Sequence, residues 1–177
     1  MRSWVRRLEA LGSVVAFDYP YMVAGRRAPD PLPKLIEAHR AALARVRTAH
    51  AGPVILIGKS MGSRVGCHLA LEETVAGLVC LGYPLKAAGK SGKVRDEVLL
   101  ALRTPVLFVQ GTRDALCPLD LLAEVRARMQ TKSELEVVDS GDHSLLATKG
   151  HLSAAGLKQE DVDARVLAAI DAFTRTL

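Results

Sequence analysis

The chain has 177 residues, 49% of them hydrophobic, enough for one well-buried domain and short for two. It contains no apolar run near the ~18 residues that span a membrane and no secretory leader pattern at its start, so neither membrane insertion nor export is expected. A formal charge of +5 would suit a polyanion, but the local clusters are only Arg2-Arg6-Arg7 and Lys86-Lys90-Lys93-Arg95 and aromatics are 4% of the chain, which argues against nucleic acid.

In chain order, Trp4, Val5, Leu8 and Leu11 recur at helical spacing and predict a packed helix rather than a transit peptide. Val14 to Phe17 predicts a first strand, and Leu35, Ile36, Leu43 and Val46 a helix after it. Val54 to Ile57, Val75 to Leu81 and Val106 to Val109 are continuously apolar, as parallel strands covered on both faces must be; Leu135 to Val138 is more polar and suits an edge. Pro118 opens a helix carrying Leu121, Leu122, Val125 and Met129, and the last helix sets Val162, Val166, Ile170, Phe173 and Leu177 on one face. Ala24 to Pro33, Lys86 to Arg95 and Gly141 to Gly156 read as irregular connections. About five strands alternating with helices predict a single α/β domain over 1–177, with a doubly wound, mainly parallel sheet and no large cap.

Between the second strand and a helical pattern lies Gly58-Lys59-Ser60-Met61-Gly62. A serine on such a turn is presented at the carboxyl edge of a sheet and at a helix N-terminus, where the Met61 N–H can stabilise an oxyanion; Gly58 and Gly62 allow the tight bend. The Gly-Lys-Ser tripeptide is not a phosphate loop, because Val54 to Ile57 is strand where a flexible cradle is needed. A nucleophilic Ser60 needs a base and a carboxylate on later loops. Asp114 follows the strand at Val106 to Val109, and His143 follows the last strand. Asp18 precedes the serine and Asp142 adjoins the histidine, so both are weaker candidates for the acid. His39, His50, His68 and His151 show no metal-ligand spacing, and His68 reads as a packing residue. Cys67, Cys80 and Cys117 are odd in number and lie in or beside regular elements, which predicts free thiols, a reducing cytoplasmic setting and a buried Cys117 rather than a nucleophile.

Gly58 to Arg64, Gly77-Leu78, Tyr83-Pro84-Leu85, Arg95-Asp96-Glu97, Pro105 to Val109, Asp114 and His143-Ser144 occur in an order that resembles the α/β-hydrolase-like family of testis-expressed protein thirty and subunit three of the NSL acetyltransferase complex, with dienelactone-hydrolase-type bacterial relatives. The resemblance implies a small, nearly capless hydrolase fold with a Ser60, Asp114, His143 triad; the mechanism such a triad supports requires no cofactor, and no metal site is expected. It also implies a departure: relatives carry N-terminal strands and a His-Gly-rich oxyanion loop before the part that resembles Ser3 to Leu11, so an altered or truncated N-terminus is expected. Losing one oxyanion donor would cost about 2.7 to 4 kcal/mol of transition-state stabilisation, and Tyr19-Pro20-Tyr21-Met22 is a candidate replacement. The sequence therefore predicts a serine hydrolase for a small ester or related acyl substrate. The alternative is a non-catalytic hydrolase-fold module that binds a protein partner or a second copy of itself. The four cations of Lys86 to Arg95 would favour an acidic substrate if they faced the site.

Overall fold

The computed structural model describes residues 2–87, 92 and 94–177, so Lys90 and Lys93 of the second basic cluster lie outside the described residues. Contacts group the chain into two compact units, Met1–Pro53 and Val54–Leu177.

The first unit is helical. Its elements are α1 (Arg2–Leu8), the single turn α2 (Pro20–Val23) and α3 (Leu32–Ala49). Trp4 and Leu8 of α1 are buried, as are Leu35, His39, Ala42 and Leu43 of α3. Segment 14–17 differs from expectation: it is not a strand. A β-rich tetrapeptide becomes a strand only when its backbone finds a ladder partner, and among the described residues this one finds none. Val15 is 57% exposed. Phe17 instead sets its ring against Tyr19, 5.2 Å between centroids, and His39, 5.0 Å. The Tyr19 hydroxyl pairs with His39 Nδ1 at 3.3 Å. Burial drives the His39 pKa down to about 4 and that of Tyr19 well up.

The second unit contains a four-stranded sheet, one strand fewer than expected: β1 (Ile55–Lys59), β2 (Gly77–Leu81), β3 (Val106–Gly111) and β4 (Ser133–Val138), in that spatial order. All pairings are parallel, with Ile57, Val79, Leu107 and Glu134 in register across the sheet. β2 and β3 are buried throughout, whereas β4 is half-buried until Val138 and forms the expected edge. Each fully buried Leu, Val or Phe of these strands contributes about 1.5–3 kcal/mol of transfer free energy, which is what fixes the central pair. Successive strands are joined through α4 (Met61–Leu69), α5 (Glu97–Ala101) and α6 (Leu119–Arg128). α4 packs on β1 and β2. After β4 come α7 (Lys149–Ala155) and α8 (Gln159–Thr174), the latter packed on β3 and β4 through Val162, Val166, Ile170 and Phe173. The apolar stripe ends there, since Leu177 lies beyond the helix and is 45% exposed.

α7 falls inside the segment Gly141 to Gly156 that reads as irregular. The Thr148 side chain accepts from the His151 N–H and caps its start, and Gly156 ends it in the left-handed conformation at φ 65. Lys86 and Val94 form an antiparallel bridge at the base of the 86–95 connection. Among the described residues there is no cap domain, and no helix is long and apolar enough to cross a membrane. Because every strand runs the same way, the connections leaving β1, β3 and β4 all start at one edge of the sheet, and the chemistry-bearing residues sit there.

Candidate active site

Ser60 joins β1 to α4 with φ 52 and ψ −119, a backbone state that side-chain-bearing residues adopt only under constraint. The constraint is visible in its bonds. The Ser60 N–H donates to the Leu81 carbonyl of β2 at 3.0 Å, and the Ser60 carbonyl accepts from the Ser63 N–H at 3.0 Å and the Ser63 hydroxyl at 2.6 Å. Gly58 makes the turn feasible: a Cβ there would stand 2.3 Å from the Ser63 nitrogen and 2.4 Å from the Gly62 carbonyl carbon. Gly62 is different, because a Cβ at that position meets nothing within 4 Å. The expected need for small residues on both sides of the serine therefore holds sterically only at Gly58. The Met61 N–H opens α4 and has no acceptor within the helix, so it is available beside Ser60.

Two later connections bring their side chains to this turn. His143 Nε2 lies 2.8 Å from Ser60 Oγ, and His143 Nδ1 lies 2.7 Å from Asp114 Oδ2. An ionised carboxylate only accepts, so Nδ1 carries the proton and Nε2 is left as the acceptor for the serine hydroxyl. Asp114 is 3% exposed. Burial pushes its pKa up, but hydrogen bonds from His143, the Leu116 N–H and Gln110 outweigh it and hold the carboxyl below its ordinary value. The Leu116 N–H donates to Oδ1 at 2.9 Å, and Gln110 Nε2 donates to the same Oδ2 that faces His143. Gln110 in turn accepts from the Tyr83 N–H at 3.1 Å, tying the end of β3 to the end of β2.

The loop carrying His143 is held on several sides. Asp142 Oδ1 accepts from the Ser144 N–H at 2.7 Å and the Leu146 N–H at 3.0 Å, so this carboxylate shapes the turn and does not serve the imidazole. The Arg113 N–H donates to the Gly141 carbonyl at 2.8 Å. Gln159 of α8 accepts from the Ala147 N–H at 3.0 Å and donates to the Leu145 carbonyl at 3.1 Å. Lys59 Nζ reaches across to Ser144 Oγ at 3.1 Å. Gly82 adopts φ 63 against this loop, where a Cβ would lie 2.7 Å from the His143 carbonyl oxygen.

Ser60, Asp114 and His143 thus converge, together with the Met61 N–H and Gly58, all within the second unit. The other candidates take no part in the hydrogen-bond chain from Ser60 through His143 to Asp114. Asp18 is exposed and belongs to the first unit, as does the Tyr19 to Met22 segment, in which Tyr19 precedes α2 and Pro20 to Met22 lie within it. His68 is half-buried in α4, and burial lowers its pKa. Cys117 is fully buried, and burial first, then Asp114, pushes its thiol up to about 12. Cys67 and Cys80 are free and buried, Sγ to Sγ 3.7 Å. No group of three or more His, Cys, Asp or Glu that could hold a metal occurs among the described residues. Gln110, Lys59 and Gln159 were not legible as parts of the site, although a glutamine closing an otherwise apolar parallel strand was a signal for the first.

The site lies in a chain whose residues 1–175 match the Alpha/beta hydrolase domain. Protein sumv-2 of Caenorhabditis elegans is 28% identical over 116 residues, 64% of this chain and 10% of that protein, so the chain spans a tenth of this curated relative. An alpha-beta serine hydrolase homologue from Coxiella burnetii superposes with a TM-score of 0.63 at 19% identity, covering 91% of this chain and 73% of that one. ATU1826, a putative alpha/beta hydrolase of unknown function from Agrobacterium tumefaciens, gives a TM-score of 0.70 at 13% identity over 98% of this chain and 74% of its own. These structural likenesses carry the fold, and the match that runs nearly end to end carries the family: the chain belongs to the alpha/beta hydrolases.

Proposed function

We propose that the protein is a serine hydrolase acting on a small ester or related acyl substrate. The observation that carries this reading is the unbroken hydrogen-bond chain from Ser60 Oγ through both nitrogens of His143 to Asp114. Ser60 attacks the carbonyl while His143 Nε2 takes its proton, Asp114 holds the ring in the tautomer that leaves Nε2 free, and the Met61 N–H stabilises the oxyanion. His143 then returns the proton to the leaving group, and water repeats the cycle on the acyl-serine. No step calls for a metal or a cofactor. Within the family we place the chain with the group of testis-expressed protein thirty and NSL subunit three, on the block Gly58 to Arg64 and the Tyr83-Pro84-Leu85 turn.

The test is labelling of the purified protein with a fluorophosphonate, which reports an activated serine without knowledge of the substrate. Wild type is expected to label and Ser60→Ala and His143→Ala to lose the label. Folded wild type that does not label would overturn the hydrolase reading and leave the partner-binding module as the better one.

A further inference from the structure

We infer that Gln110 is a positioning residue of the His143–Asp114 pair, its carboxamide holding Asp114 Oδ2 on the line to His143 Nδ1. The inference deepens the hydrolase reading and rests on it for its consequence in turnover.

Gln110 is a fully buried polar side chain at the end of an otherwise apolar strand. Its orientation has one solution. The Tyr83 N–H can only donate, which places Oε1 towards β2, and the Asp114 carboxylate can only accept, which places Nε2 towards the site. Oδ2 of Asp114 then receives two donors, Gln110 and His143, while Oδ1 receives the Leu116 N–H. With both oxygens engaged from different elements, the carboxylate cannot turn about its Cβ–Cγ bond without breaking a buried hydrogen bond. The other charges near the histidine do not do this work: Asp142 is committed to the Ser144 and Leu146 N–H groups, and Lys59 to Ser144 Oγ. The amide also takes up part of the charge on Oδ2, so the strength of the bond to His143 depends on it.

The experiment compares wild type with Gln110→Met and Gln110→Glu by two readouts, the NMR resonance of the His143 Nδ1 proton and the rate of fluorophosphonate labelling. Gln110→Met keeps the length of the side chain and removes both hydrogen bonds. A displaced Nδ1 proton and labelling about ten- to a hundredfold slower are expected. Because Gln110→Met also strands the Tyr83 N–H and can unfold the protein, Gln110→Glu is the second variant. It keeps an acceptor for Tyr83 but sets a second carboxyl against Asp114, and the same two changes are expected at alkaline pH, where both carboxyls are ionised and no donor to Oδ2 is left on residue 110. A folded variant with the wild-type Nδ1 resonance and rate would overturn the inference and make Gln110 a strand-end residue that satisfies Tyr83 alone. Should wild type not label, the hydrolase reading fails by itself, and the Nδ1 resonance still decides whether Gln110 holds the pair.

Discussion

Lys59 Nζ stands 3.1 Å from Ser144 Oγ, so the residue before the proposed nucleophile grips the residue after the proposed base. The two segments are 85 residues apart in sequence, and this contact and the serine–histidine bond tie them directly. Lys59→Met retains the apolar stem and removes the donor. Labelling is expected to slow about fivefold, with a melting temperature within about 3 °C of wild type. An unchanged rate would show that the loop is positioned without the lysine.

The two glycines of the turn should separate cleanly. Gly58→Ala drives a Cβ into backbone that cannot yield, at 2.3 Å from the Ser63 nitrogen, and overpacking of this kind costs about 1–3 kcal/mol or more. Gly62→Ala adds a methyl to open space inside α4 and should gain roughly 0.5–1 kcal/mol of helix propensity. Thermal melts of the two variants check both signs.

Stability should fall on the acid side through His39. Its pKa is lowered from 6.5 to about 4 by burial, so between those values the unfolded chain binds a proton that the native ring refuses. The contribution is constant above about pH 6.5 and is lost progressively as pH falls towards 4, by up to about 3 kcal/mol in all. Urea midpoints at about pH 7.5, 6.5, 5.5 and 4.5 would show the slope, and His39→Leu should flatten it. A slope untouched by that substitution would assign the acid sensitivity to another group.

The three thiols should be silent in the native protein. Cys67, Cys80 and Cys117 are each buried out of a reagent's reach; in addition Cys117 is pushed up to about 12 and Cys80 is raised well above its ordinary value by its bond to Cys67 and by burial, so the thiolates of these two are scarce at neutral pH. A chromogenic disulfide reagent is expected to titrate none of them until denaturant is added. Fast reaction of any one in the folded state would contradict the burial.

The elements that were legible in the sequence are those that one residue pattern determines. Continuous apolar runs at Val54 to Ile57, Val75 to Leu81 and Val106 to Val109 led to three parallel strands, with ends shifted by a few residues, and the glycine-flanked serine led to the turn that now carries φ 52. The Ser60, Asp114 and His143 positions could be read because each follows a strand, and parallel strands deliver such residues to one edge. Segment 14–17 misled because strand propensity says nothing about whether a ladder partner exists. α7 was missed because a seven-residue helix made of Lys149-Gly150-His151-Leu152-Ser153-Ala154-Ala155 has no apolar period, only a threonine cap and a glycine stop. The side-chain ties of Lys59, Gln110 and Gln159 join distant segments, and no local pattern encodes such a pairing.

Gln159 gives the last helix a role beyond packing. It belongs to the first turn of α8 and holds the His143 loop by its Ala147 N–H and Leu145 carbonyl, so the base is suspended from the same helix that covers β3 and β4. Fraying of that turn would release the imidazole while the central strands stay folded. The site should therefore be the first thing lost along a denaturant series, with labelling decaying ahead of circular dichroism, and amide exchange in 145–147 tracking the helix start rather than the sheet.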